Sequence, residues 1–178
     1  MNLETERLLL RDYLEDLSDL ESVLLFTTDS LVATHSSWGP LTEEETREWL
    51  GKTLSYVGEV PRTHYELAIV DRETGEVIGN ASLLQRSAEV SEASIGYTLR
   101  RDQWGKGFAT EVARALVSFG FDDLGLRKLV ATTSPANLAS QRVLEKAGFR
   151  KEAFLEKNVL QRGVWRDSVL FSISGMTS

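Results

Sequence analysis

Residues Arg101 to Phe121, RDQWGKGFATEVARALVSFGF, constrain this chain more than any other stretch. A short glycine loop, Trp104-Gly105-Lys106-Gly107-Phe108-Ala109, runs without a breaker into a helix whose apolar positions are Ala109, Val112, Ala113, Leu116, Val117, Phe121 and Leu124. Spacings of three and four residues put them on one stripe, so the helix must lie against a core. Directly upstream, Ser94-Ile95-Gly96-Tyr97-Thr98-Leu99 is β-branched and aromatic and reads as a strand. A strand, a glycine loop and a helix in that order make an anion trap. The first N–H groups of a helix have no internal partner and sit at the positive end of its dipole, and glycines admit a phosphate close to the main chain. Taken alone, the same pattern also fits a plain tight connection.

Two familiar phosphate loops are excluded by their own spacing. A dinucleotide fingerprint needs a glycine or alanine three residues after its second glycine, where this chain has Thr110. Gly51-Lys52-Thr53 ends like a nucleotide P-loop, but the required first glycine falls at Thr46, inside a helical run.

The loop instead resembles the pyrophosphate-binding motif of the GCN5-related N-acetyltransferases, R/Q-x-x-G-x-G/A, with Trp104 at the R/Q position, Gly107 at the first glycine and Ala109 at the last. The wording Trp-Gly-Lys-Gly-aromatic-Ala-Thr-Glu, Trp104 to Glu111, is similar to the RimJ/RimL-like branch, where tryptophan at the first position is usual. The resemblance implies that main-chain amides from Trp104 to Thr110, including those of Gly105, Lys106 and Phe108, receive the diphosphate of acetyl-CoA. A second stretch, Asn137-Leu138-Ala139-Ser140 through Leu144 to Gly148-Phe149, resembles the family's other acyl-CoA element, N-x-x-S-x-x-x-L-x-x-x-G-F. In relatives the asparagine meets the pantetheine arm and the serine lies near the sulfur; here those positions are Asn137 and Ser140. Read without the family, Asn137 is a helix N-cap and Gly148 a helix stop; two motifs in the expected order favour the cofactor reading.

At 178 residues and 42% hydrophobic content the chain can bury one substantial core, so residues 1–178 are read as a single domain. It has no cysteine, which removes disulfides, thiolate metal sites and a cysteine nucleophile; only His35 and His64 offer imidazole, and no metal site is expected. The N-terminus lacks a signal-peptide pattern, and no apolar run reaches the ~18 residues of a membrane span, so a cytoplasmic protein without a membrane partner is expected. A net charge of −7 argues against a nucleic-acid partner and is compatible with a cationic amine. Monomer and homodimer both remain open.

The chain in order reads as a strand over 6–11, a helix over 13–26, an irregular stretch over 27–40 and a helix opened by the capping box Thr42/Glu45. A hairpin follows over 65–70 and 77–84, then the strand ending at Leu99, the central helix, a strand over 128–133, a helix over 137–147 and two strands over 150–159 and 164–173; residues 174–178 are expected to fray. This predicts an α/β (α+β) fold with helices on a mixed sheet. It matches the acyl-CoA N-acyltransferase fold, which implies a mostly antiparallel seven-stranded sheet with about four helices.

The implied reaction is attack of an amine on the acetyl-CoA thioester through a tetrahedral intermediate, with coenzyme A leaving as its thiol. Lysine-type amines titrate near ~10 and α-amines near ~8, so a proton must be removed before attack, and the developing oxyanion needs a fixed donor. By resemblance that donor is a main-chain N–H from the strand around Tyr97, Thr98 and Leu99, and Ser140 is the candidate to protonate the sulfur. The base is less evident. Relatives often carry a glutamate directly before Ile-Gly-Tyr, where this chain has Ser94; Glu92, two residues earlier on the same strand face, is the candidate, with Glu66 and His35 as others. Glu111, Lys106, Arg100 and Arg101 flank the loop, but acids in a first helical turn and exposed basic groups need no special role. For the acceptor, His35 and Trp38 in the irregular segment 31–41 offer a polar and aromatic wall, the region that borders the acceptor in the family. The expected activity is acetyl transfer to a protein N-terminal amine or a small-molecule amine, with an aminoglycoside-type transferase or a non-catalytic acyl-CoA sensor as alternatives.

Overall fold

The computed structural model of the chain describes residues 1–34, 36 and 38–175. Among these, eight strands form one sheet: β1 (Asn2–Glu4), β2 (Leu8–Arg11), β3 (His64–Asp71), β4 (Val77–Gln85), β5 (Glu92–Leu99), β6 (Lys128–Thr133), β7 (Arg150–Gln161) and β8 (Val164–Ser174). Their spatial order is β1-β2-β3-β4-β5-β6-β8-β7. All neighbours are antiparallel except β5 and β6, which run parallel because the loop and helix that follow β5 cross over between them. Five helices cover the sheet: α1 (Leu20–Thr27), α2 (Ser30–Ala33), α3 (Glu43–Ser55), α4 (Phe108–Ser118) and α5 (Leu138–Lys146).

Local chemistry sets the helix boundaries. Thr42 and Glu45 exchange the two bonds of a capping box at the start of α3. Asn137 caps α5 by accepting from the Ser140 N–H at 3.1 Å. Gly107 precedes α4 with φ +85°, a left-handed conformation that glycine adopts without a Cβ clash. Each sheet face has its own core. On one face α4 and α5 pack Val112, Ala113, Leu116 and Leu144 against Leu67, Leu83, Ile95 and Leu129. On the other, Val23, Phe26 and Leu50 from α1 and α3 meet Ala68, Val70 and Val77.

Several expectations need correction. The sheet has eight strands rather than seven, and five helices rather than four: Asn2–Glu4 adds an edge strand paired with β2, and Ser30–Ala33 is a helical turn capped by Asp29. The helix expected over 13–26 begins only at Leu20. Its first half is irregular because Asp19 turns back to bind Arg11 through two hydrogen bonds and the Leu14 N–H through a third, with Leu17 at φ +59°. Of the apolar positions the spacing puts on this helix, Leu20 and Val23 are buried and Leu17 and Leu24 pack against the same core, whereas Leu14 is 43% exposed. Ser174 closes β8 rather than fraying, and residues 176–178 lie outside the described residues.

Candidate active site

The loop between β5 and α4 is exposed from Trp104 to Gly107. Among the described residues, the N–H groups of Gly105, Lys106, Gly107, Phe108 and Ala109 find no protein acceptor, whereas Thr110 and Glu111 already donate back to the Gly107 carbonyl. Five consecutive free amides at a helix N-terminus are what a diphosphate requires. Trp104 is 50% exposed and fixes the loop to the strand by donating its indole N–H to the Leu99 carbonyl at 3.0 Å.

The basic residues near the loop are mostly engaged. Lys106 bonds Gln103, Arg100 holds Glu76 and Asp102, and Arg101 faces Asp29 at 3.4 Å. Glu111, read from sequence as a helix-start charge, has a definite task. It accepts from the Thr5 hydroxyl at 2.6 Å, the Arg7 N–H at 2.8 Å and the Arg7 guanidinium at 2.8 Å, while Arg7 also donates to the Lys106 carbonyl and lies over the Phe108 ring. The turn between β1 and β2 is thereby tied to the loop. Burial pulls the Glu111 carboxyl upward, but the bonds from Thr5 and Arg7 outweigh it and hold the group below the usual carboxylate range. A cleft of about 660 Å³ runs beside this junction, with Arg7, Arg114 and Lys146 on its walls. No local motif announces these three, which come from separate segments.

Beside the loop the sheet opens. β5 and β6 pair only from Glu92↔Lys128 to Ser94↔Val130, leaving Ile95 to Leu99 without a partner strand on that side. Arg100 donates its N–H to Ile78 on β4. Strand alternation then turns the main-chain groups of Gly96 and Thr98 toward β4 and those of Ile95 and Tyr97 into the opening. Tyr97 projects to the α5 side, where its hydroxyl lies 3.1 Å from Ser140 Oγ. Burial pushes the Tyr97 hydroxyl up to about 12, against a smaller downward pull from Ser140. Near neutral pH the phenol is a fixed donor and acceptor next to the serine. The structure therefore brings together Tyr97, Asn137, Ser140 and the loop, which the family resemblance assigned to one site.

The remaining candidates lie elsewhere. Glu92 is exposed at the first position of β5, 3.9 Å from Lys128 and about 16 Å along the strand from Tyr97. His35 lies outside the described residues. Trp38 is half-buried in a segment that the β7–β8 turn covers: Gln161 donates to the carbonyls of Ala33 and Ser36, and Arg162 to that of Pro40. An open pocket of about 340 Å³ lies there, with Arg162 and Arg166 on its β-hairpin side. Sequence reading assigned no site role to this hairpin, because the contact joins residues more than a hundred positions apart.

Comparison with known proteins agrees with this fold. Residues 7–150 match the model of the acetyltransferase (GNAT) domain. An uncharacterized N-acetyltransferase of Bacillus licheniformis is 33% identical over 174 residues, covering 96% of this chain and 94% of the relative. The crystal structure of a GNAT-family acetyltransferase from Bacillus anthracis superposes with a TM-score of 0.84 at 28% identity, covering 98% of each chain. Spermidine N-acetyltransferase from Vibrio cholerae, solved with CoA and spermine, shares the fold with a TM-score of 0.80 at 19% identity, covering 96% of each chain.

Proposed function

Because this chain belongs to the acetyltransferase (GNAT) family, we propose that it moves an acetyl group from acetyl-CoA to a primary amine, either a protein N-terminus or a small molecule. The observation that carries the reading is the run of five free amides from Gly105 to Ala109, set beside the unpaired edge of β5. The amides fit the diphosphate, and Arg114 and Lys146, which form no ion pair among the described residues, suit the remaining phosphate charge of the nucleotide end. Acetyl-CoA supplies an activated thioester, and every other task falls to the chain.

In this mechanism Asn137 and the edge of β5 position the acyl arm in the opening beside β6. The Tyr97 N–H, turned into that opening, donates to the carbonyl oxygen as negative charge builds there. Ser140 Oγ–H protonates the departing sulfur and is re-supplied across its hydrogen bond with the Tyr97 hydroxyl. Holding amine and thioester together supplies much of the acceleration.

The test is calorimetric titration with acetyl-CoA, followed by thiol release over alanine peptides, polyamines and aminoglycosides. Binding with release on one acceptor class is expected and names the substrate. Absence of binding would overturn the loop assignment.

A further inference from the structure

The sheet face opposite α4 and α5 carries a polar row that the cofactor-side elements do not use. Gly96, Ser82 and Glu66 are register partners across β5, β4 and β3. Partners in register share a face, so Gly96 and Glu66 stand two strand spacings apart, about 9.5 Å. Gly96 is the first residue on that face beyond the last β5–β6 pair, at the mouth of the opening. A Cβ at Gly96 would lie 2.8 Å from Ser82 Oγ, so a side chain here would have to displace that hydroxyl from the lane between the opening and Ser82. Glu92 shares the face but lies four residues, about 13 Å, along β5 from Gly96, and it is matched by Lys128.

Glu66 is held by two side chains, one of them braced by a third. Its Oε2 accepts from Asn80 Nδ2 at 2.7 Å, Asn80 Oδ1 accepts from the Tyr13 hydroxyl at 2.9 Å, and His64 Nε2 lies 3.0 Å from Oε1. Tyr56 stacks on the His64 ring at 3.9 Å. Burial, and after it the nearby Glu66 and Asp19 carboxylates, push the Tyr13 hydroxyl well above its ordinary value, against a smaller pull from Arg11. Tyr13 therefore stays a donor, which fixes the sense of the chain from Tyr13 through Asn80 to Glu66.

The counter-charges mark Glu66 out. The other sheltered carboxylates that form ion pairs each meet an arginine: Asp12 meets Arg62, Asp19 meets Arg11, Asp29 meets Arg101 and Glu111 meets Arg7. Glu66 is only 14% exposed, yet among the described residues no lysine or arginine nitrogen lies within 4 Å of it, and its one ionisable partner is His64. The groups facing it are His64 on its own strand, Tyr13 from the segment before α1 with the Arg11–Asp19 pair behind it, Tyr56 beyond α3, and the uncharged Asn80 and Ser82 on β4. A carboxyl group on a polar floor with no lysine or arginine beside it among the described residues is suited to a cation.

We propose that Glu66, backed by His64, attracts the acceptor ammonium and takes up its proton along the Gly96–Ser82–Glu66 row. The assignment rests on the transferase reading above. The nitrogen sheds two protons in the whole reaction. The first passes by way of Ser82 or water to Glu66, shared with His64, and then to solvent. The freed lone pair forms the C–N bond, the C–S bond breaks, and the sulfur takes a proton from Ser140. The second nitrogen proton restores that hydroxyl by way of the Tyr97 hydroxyl bonded to it.

Glu66→Gln keeps the shape and the Asn80 bond, which makes it the informative variant. The probes are acetyl-CoA with trialanine, spermine and tobramycin, using whichever acceptor the wild type turns over fastest. Acetyl-CoA affinity should stay within about twofold, kcat should fall ~100-fold or more, and the acid limb of the kcat/KM profile against pH should disappear. The defect should shrink with methoxyamine, an acceptor already unprotonated at neutral pH. A kcat like that of wild type, or an equal loss on methoxyamine with the acid limb intact, overturns the proposal. His64→Gln gives an independent reading: a smaller loss with a displaced acid limb is expected, and an undisplaced limb counts against the pair. A wild type that binds acetyl-CoA and releases no thiol on any acceptor overturns the transferase reading, and this assignment with it.

Discussion

Removing the Glu111 carboxylate should loosen the cofactor loop from its support and leave a signature in pH. The group is 15% exposed and accepts from the Thr5 hydroxyl, the Arg7 N–H and the Arg7 guanidinium, which is itself 44% exposed. An ion pair with so exposed a partner contributes about 0–1 kcal/mol. The two bonds from Thr5 and the Arg7 main chain, partly open to water, contribute about 1 kcal/mol each. Glu111→Ala should therefore cost about 2–3 kcal/mol, which for a domain of this size lowers Tm by about 5–10 °C. Glu111→Gln, which keeps the oxygen that accepts from Thr5 and the Arg7 N–H, should cost only the ion pair, up to about 1 kcal/mol. Because the carboxyl is held below its ordinary value when folded, its contribution is complete above about pH 5 and is lost as pH falls through the folded value. Urea unfolding at pH 7 and at pH 3.5 checks both parts: the gap between wild type and the glutamine variant should be full at pH 7 and shrink in acid. An alanine variant as stable as wild type at pH 7, or a gap independent of pH, would refute the anchoring role. Calorimetry should also show weaker acetyl-CoA binding by the alanine variant, because Arg7 would no longer brace the Lys106 carbonyl.

Gly107→Glu should abolish acetyl-CoA binding by placing a carboxylate among the free amides, while the forced left-handed backbone costs about 1–2 kcal/mol and leaves the protein folded by circular dichroism; unchanged affinity would remove the loop from the site. Ser140→Ala should lower kcat at least tenfold with acetyl-CoA affinity within about twofold, and Tyr97→Phe should do the same to a lesser degree; unaltered turnover in single-turnover kinetics excludes the relay. Thr53 is buried in α3 with a hydroxyl that finds no partner among the described residues, so Thr53→Val should stabilise by about 1 kcal/mol in urea titration; a loss of stability would mean that the hydroxyl is served after all.

The parts of this molecule written in local chemistry were readable beforehand. The α4 stripe, the Thr42/Glu45 box, the Asn137 cap and the turn before β4 each depend on residues within a few positions of one another. The parts that depend on distant partners were not. The Asp19 carboxylate has Arg11 to bind and so ends a helical pattern that periodicity alone would continue through residues 13–19. Glu111 reads as an ordinary helix-start acid until Arg7, 104 positions away, is folded against it. Glu66 is one of several acids by sequence, and only strand register sets it on the same row as Gly96.

Register is also what allows one strand to serve two sides of a reaction. Side chains alternate along β5, so Tyr97 turns to Ser140 on α5 while Gly96 and Thr98 turn to the face of Ser82, Asn80 and Glu66. The edge between those faces, left open where β6 diverges, is where the thioester belongs in the proposed mechanism. A proton donor for sulfur and a proton acceptor for nitrogen then stand on opposite sides of the same bond change and do not neutralise each other. A slip of one residue between β4 and β5 would exchange the two faces, placing Tyr97 over the acceptor lane and Gly96 under α5. Gly79 opposes that slip. It pairs with Leu99, and a Cβ at its position would collide with the Thr98 carbonyl oxygen, so the end of β5 lies closer to β4 than any other residue would permit. A side chain at Gly79 would force the end of β5 off β4 and disturb the register in which Tyr97 reaches Ser140.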